Sequence, residues 1–292
     1  MKGVSLSAGA LLVIYGLLVA LASLSGGWVL LAMRLTHARL QMAVSFVAGL
    51  MLGMALLHFI PHASEQYHSL EGVLRWCLGG FLAMFFLERF LPHHHHDLPD
   101  QPEGLVESGR EPEAARGAEG RHAHAHWAAV AAAKPANGLS WVGTTLGMSL
   151  HSLMDGVALA AAVVAESRGQ GGVVVGLGTA LVIMLHKPFD AMAISTMMAA
   201  SGCSRFARQL LNGLFALATP LGMALFYLGA SHLAHMDPAF LGGALAFCAG
   251  TFLCIACADL LPELQFHSHD RLKLSLALAA GLGITVVLGQ VE

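Results

Sequence analysis

LSWVGTTLGMSLHSLMDGVALAAAVVA, residues 139–165, is long and apolar enough to cross a bilayer, yet it carries His151 and Asp155 near its middle. A spanning helix needs about 20 mainly apolar residues. The spacing of four sets the imidazole and the carboxylate on one helical face. A second apolar run, about 172–200, repeats the arrangement in His186-Lys187-Pro188-Phe189-Asp190. An aspartate at the bilayer centre costs roughly 2.5 to 3.5 kcal/mol on insertion scales, so intramembrane ionisable pairs are functional-site candidates. Together the two pairs offer four ligands to one divalent cation.

The composition supports this membrane reading. Of 292 residues, 56% are hydrophobic and only 11% charged, with a mean hydropathy of +0.67, whereas soluble domains carry about 25% charged residues. The expected fold is an all-α membrane protein with eight transmembrane helices, near 6–33, 40–62, 70–91, 139–165, 172–200, 207–231, 238–262 and 272–291. Ala20-Leu21-Ala22 resembles a signal cleavage site, but the first apolar run exceeds the roughly 7 to 15 residues of a signal core. It is read as a retained span.

Basic residues set the topology. With the N-terminus outside, Arg34, Arg39, Arg205, Arg208, Arg271 and Lys273 fall in short inner loops, and only Lys2, Arg75 and Arg168 lie outside. The positive-inside rule favours that orientation, with both termini outside and the 92–138 loop cytoplasmic, in a plasma (inner) membrane. The net charge of −3 is spread over separate loops, so no nucleic-acid-binding face is expected. Cys77, Cys203, Cys248, Cys254 and Cys257 lie in or beside spans without a paired framework. They read as free thiols, Cys254 and Cys257 as small core residues.

Residues 46–63, FVAGLMLGMALLHFIPHA, align without gaps onto 247–264, FCAGTFLCIACADLLPEL. Phe46, Gly49, Leu52, Ala55 and Pro61 are matched by Phe247, Gly250, Leu253, Ala256 and Pro262. The copies lie in the second and seventh spans, which cross in opposite directions, so an inverted repeat of spans 1–3 and 6–8 is expected around spans 4 and 5. Inverted repeats are a recurring plan of secondary transporters, with the substrate site near mid-membrane. His58 then corresponds to Asp259 and His62 to Glu263. These four are candidates for the outer and inner ends of a cation pathway. Gly143 and Gly147 continue the face of His151 and Asp155, a small-xxx-small pattern permitting close helix approach. Pro188 removes a backbone donor beside the second pair.

Residues 92–138 differ from everything around them. His93-His94-His95-His96 and the alternating His122, His124 and His126 flank a Pro/Gly/Glu-rich stretch. Such a segment is expected to be disordered, and clustered imidazoles bind divalent metal. Four parts follow: spans 1–3 (1–91), this His-rich loop (92–138), the metal-site spans 4–5 (139–200) and spans 6–8 (201–292).

The fourth-span His-Ser-x-x-Asp-Gly, the fifth-span His-Lys-Pro-x-Asp, Thr219-Pro220-Leu221-Gly222, the eight spans and the His-rich third inner loop resemble the ZIP (Zrt/Irt-like) divalent metal transporters over nearly the whole chain. The resemblance implies import of zinc, and often iron or manganese, through a site between the fourth and fifth spans, in a homodimer. Carried over, the ligands are His151, Ser152, Asp155, His186 and Asp190. Pro188 falls one residue earlier than in the usual motif. Relatives that hold a second metal use acids where this chain has Lys187 and Thr219. The resemblance therefore implies a single-metal site.

Two imidazoles and two carboxylates suit tetrahedral Zn²⁺, and mixed N/O shells also take other divalent metals. Zinc is the leading cargo, with Fe²⁺, Mn²⁺, Co²⁺ and Cd²⁺ open. No enzyme activity and no resident cofactor are expected. The alternatives are an intramembrane zinc hydrolase, which would use the metal to activate water, and a membrane metal sensor acting through the His-rich loop. Nothing here resembles H-E-x-x-H or a nucleophile elbow.

Overall fold

The computed structural model describes residues 7–32, 37–90, 140–168, 175–232, 237–261 and 271–289. Among them are eight helical spans apolar and long enough to cross a membrane. The elements are α1 (Ala8–Ala32), α2 (His37–Gly53), α3 (Ile60–Tyr67), α4 (Leu70–Phe90), α5 (Ser140–Arg168), α6 (Leu177–Ala200), α7 (Arg205–Ala216), α8 (Ala218–His232), α9 (Pro238–Cys254) and α10 (Arg271–Leu288). A π turn, Met54–Phe59, joins α2 to α3 as one second span, and another, Ile255–Leu260, extends α9 as the seventh. Loop residues 92–138, with all their histidines, lie outside the described residues.

The second span is predicted to end near residue 62, but the helix runs on to Tyr67. Pro61 is tolerated there because it sits directly after the π turn, in the first turn of α3, where a missing N–H costs little. Pro220 acts differently. It cannot donate to the carbonyl of Ala216, and the sixth span is interrupted at Leu217 between α7 and α8. Asp237 caps α9 by accepting from the Ala239 amide at 3.0 Å, with Pro238 at the first helical position.

The second, fourth, fifth and seventh spans are largely buried, and the other four face outward. Val13, Leu17 and Leu21 on the first span are each 63% exposed, an outward apolar face suited to lipid. Lipid is as apolar as leucine, so helix association rests on close packing and small residues. Glycine supplies the closest approaches. A Cβ on Gly49 would strike the Leu278 carbonyl oxygen, and one on Gly250 the Cys77 carbonyl oxygen. Likewise Gly281 lies against the Phe46 carbonyl, and Gly80 against that of Phe247.

These four contacts are two contacts, each made twice. Gly49 and Gly250, Gly80 and Gly281, Cys77 and Leu278, and Phe46 and Phe247 all share one separation along the chain. The second span packs on the eighth as the seventh packs on the third. The two π turns also coincide at this separation: Ile60 donates to the Ala55 carbonyl, and Leu261 to that of Ala256. The likeness visible in 46–63 and 247–264 thus extends in packing through the third and eighth spans.

The fourth and fifth spans, which the sequence leaves outside the repeat, are related as well. Gly222 of the sixth span lies against the Leu153 carbonyl, and Gly26 of the first against that of Pro188. Leu153 and Pro188 hold the same place relative to His151 and His186. The α5–α6 connection is tied at Gly176, whose φ of 71° suits glycine and whose amide donates to Glu166 Oε2 at 2.5 Å.

Adding one methyl at a crossing should therefore be costly. Gly250→Ala is expected to destabilise the protein by about 1–3 kcal/mol, the usual range for overpacking. Gly283→Ala, where a Cβ meets nothing within 4 Å, should be nearly neutral. Thermal unfolding of both variants in detergent checks the difference.

Candidate metal centre

Helix α5 presents His151, Ser152 and Asp155, and helix α6 presents His186, Lys187 and Asp190, where two of the four buried spans meet. One ligand atom from each of His151, Asp155, His186 and Asp190 lies within 4.8 Å of all the others. The first three residues are buried and Asp190 is partly so. The sequence-predicted quartet is assembled, each helix giving one histidine and one aspartate from equivalent positions.

Asp155 Oδ2 lies 3.4 Å from His186 Nε2 and 3.5 Å from His151 Nε2. Asp190 Oδ2 is 3.9 Å from both nitrogens. Ligands on a tetrahedron with zinc bonds of about 2.0–2.1 Å stand about 3.3–3.4 Å apart. The quartet, spread over as much as 4.8 Å, is therefore wider than a filled tetrahedral shell.

Hydrogen bonding aims the donors. His186 Nδ1 lies 2.9 Å from the Val182 carbonyl, which can only accept, so Nδ1 carries a proton and Nε2 is turned to the Asp155 carboxylate at 3.4 Å. An imidazole fixed through its other nitrogen is the usual arrangement of a histidine metal ligand. The pairing of Nε2 with a carboxylate oxygen is satisfied by a proton on the ring or by a metal cation between the two. Two further polar atoms, His151 Nδ1 and Asp155 Oδ1, are buried with no hydrogen-bond partner among the described residues. Buried polar atoms without partners call for an explanation such as an ion or water.

A cation of the protein's own stands beside the quartet. Lys187 Nζ is buried and donates to Ser152 Oγ at 2.8 Å, Asp155 Oδ2 at 2.5 Å and Asp190 Oδ2 at 3.2 Å. All three ammonium donors are used. Ser152, a ligand by resemblance, here accepts from Lys187. The Phe215 ring lies 5.5 Å from Nζ, within range of a cation–π contact.

The pathway candidates are placed elsewhere. His58 is buried in the first π turn, its Nε2 2.8 Å from the Thr285 carbonyl. His62 is partly exposed with Nδ1 3.6 Å from Glu65 Oε2. The Asp259 backbone belongs to the second π turn, while Glu263 lies outside the described residues. Thr219 is buried, and its carbonyl meets the space above Gly156, so it packs the sixth span onto the fourth. All five cysteines are free thiols.

Sequence reasoning passed over two contributors. Phe252 closes over the imidazoles, its ring centroid 6.2 Å from that of His151 and 6.3 Å from that of His186. It lies inside the 247–264 repeat copy but was indistinguishable there from an ordinary core aromatic. The Val182 carbonyl, one turn before His186, has no side-chain signal at all.

Eight spans, two of which share a two-histidine, two-aspartate cluster inside the bundle, define a polytopic membrane protein able to hold a metal ion in its interior. The chain belongs to the ZIP zinc transporter family, whose sequence profile matches residues 9–289. It is 30% identical to zinc transporter ZIP9 of Xenopus tropicalis over 86% of each chain. Zinc transporter ZIP9-B of Xenopus laevis is 32% identical over 76% of this chain and 61% of its own length. Zinc transporter SLC39A7 of Rattus norvegicus is 26% identical over 87% of this chain and 65% of its own length. The chain thus spans less than two thirds of the length of the latter two relatives.

Removing one partner of a buried ion pair typically costs about 3–5 kcal/mol. Asp155→Asn is expected to lower metal-free stability by about 3 kcal/mol, because Lys187 keeps Asp190. The double variant Asp155→Asn/Lys187→Met, which also leaves the Asp190 carboxylate without its ammonium, should be less stable still in the same thermal unfolding assay.

Proposed function

We propose that the protein transports divalent metal cations, zinc foremost, across the membrane into the cytoplasm, with His151, Asp155, His186 and Asp190 as ligands and Ser152 as a weaker contributor. The observation that carries this reading is the quartet of two imidazoles and two carboxylates gathered within 4.8 Å inside the bundle, where the fourth and fifth spans meet. A family of zinc transporters supports it. Fe²⁺, Mn²⁺, Co²⁺ and Cd²⁺ are the competing cargoes.

Transport requires ligands that replace the hydration shell yet release the ion. An all-imidazole and carboxylate shell without thiolate suits that balance, because binding must be favourable enough to admit the ion and weak enough to free it. With every span crossing the bilayer, the equivalent second and seventh spans run oppositely. The repeat is then inverted, with the site between its halves, as in other transporters. His58, His62, Asp259 and Glu263 stand toward the two ends of the path. The positive-inside pattern places both termini outside and the 92–138 segment in the cytoplasm, in a plasma (inner) membrane. There its histidines meet arriving ions as a buffer or sensor. The protein works as a homodimer, each protomer with its own site.

Proteoliposomes containing only this protein test the reading. Uptake of radioactive Zn²⁺, with Mn²⁺, Fe²⁺, Co²⁺ and Cd²⁺ as competitors, should be saturable and reduced at least about tenfold by Ala at His151, Asp155, His186 or Asp190, about the effect of 1.4 kcal/mol. Ser152→Ala should be milder. Normal uptake in both His151→Ala and His186→Ala would remove the site assignment. Deleting residues 93–126 should preserve uptake but alter its response to metal on the cytoplasmic side, and complete loss in a well-expressed deletion would make the loop part of the pathway.

A further inference from the structure

We propose that Lys187 is a tethered competitor for the metal site: its ammonium holds the empty site shut, lowers affinity for the ion and thereby sets the rate of release. This rests on the transport reading above.

The geometry is specific. Asp155 Oδ2 is the oxygen nearest both imidazoles and also the oxygen that receives Lys187 Nζ. Asp190 Oδ2 is shared in the same way. A divalent ion bound by the quartet must therefore draw on the lone pairs that the ammonium already uses. The other oxygen of Asp155, Oδ1, has no hydrogen-bond partner among the described residues. One carboxylate thus has an oversubscribed oxygen and an unused one. Rotating the carboxylate gives the metal one oxygen and leaves the other for the lysine, and the Phe215 ring face at 5.5 Å offers the ammonium a second resting place.

Charge points the same way. Two carboxylates and one ammonium leave the empty cluster with one net negative charge, and a divalent ion reverses that to one positive. Without the lysine the filled cluster would be neutral, and charge is costly away from water. Lys187 also spans the two helices, since Ser152 and Asp155 lie on α5 and Asp190 on α6. Its contacts close the crossing whenever the ion has left.

The test measures Zn²⁺ binding to the full chain purified in detergent, by isothermal titration and by the shift in thermal unfolding with added Zn²⁺. Wild type is compared with Lys187→Met, Lys187→Arg and His151→Ala, with Lys187→Gln as the neutral replacement should Lys187→Met not fold. Zn²⁺ is expected to bind Lys187→Met at least tenfold more tightly, with a larger metal-induced thermal shift and a lower maximal uptake rate together with a lower KM. Lys187→Arg, which keeps the positive charge, should not tighten Zn²⁺ binding. Lost packing alone would loosen the site, so tighter binding is a signature that a merely structural lysine would not give. If the binding step that His151→Ala removes from the titration is unchanged or weaker in the folded neutral variant, the competitor role is overturned and the metal site stands. If His151→Ala binds like wild type, the site reading falls and takes this proposal with it.

Discussion

Two carboxylates and two imidazoles packed among apolar helices can share a space only with positive charge among them. In this protein the requirement is met by Lys187, which donates to Asp155, Asp190 and Ser152 at once. The arrangement explains why α5 and α6 cross where they do. Each brings one half of the negative charge, and α6 brings the counter-charge next to its own histidine.

The outer helices serve that crossing. Gly222 and Gly26 bring the sixth and first spans onto the backbones of Leu153 and Pro188, within the two motif segments themselves. Bulky side chains at either position would push the crossing apart. The central and peripheral spans divide by the same symmetry: the buried second and seventh correspond to each other, as do the buried fourth and fifth.

Much of this was legible in the residues. Apolar runs of adequate length located all eight spans, and the four-residue spacing in two polar pairs located the quartet, because charge in a membrane interior has few other reasons to exist. Lys187 stood out on the same ground. The alignment of 46–63 with 247–264 exposed one part of the repeat. Its remainder rests on glycines such as Gly80 and Gly281, whose surroundings diverged because only the absence of a side chain is required there. The partnership of Ser152 with Lys187 was hidden for another reason. A hydroxyl beside a metal motif and a hydroxyl that receives an ammonium look the same in a sequence. The π turns left no mark, since the apolar residues of Met54–Phe59 and Ile255–Leu260 would fit an ordinary helix equally well.

Those turns have a geometric consequence. An α-helix advances about 100° per residue, so one extra residue rephases everything beyond it by roughly that angle. In the second span, α2 lies along α10 and α3 lies along α9; the turn between them swings the packing stripe from one neighbour to the other. A single rod thereby serves two partners on different sides. Within Met54–Phe59 the number of residues is consequently a stricter specification than their identity.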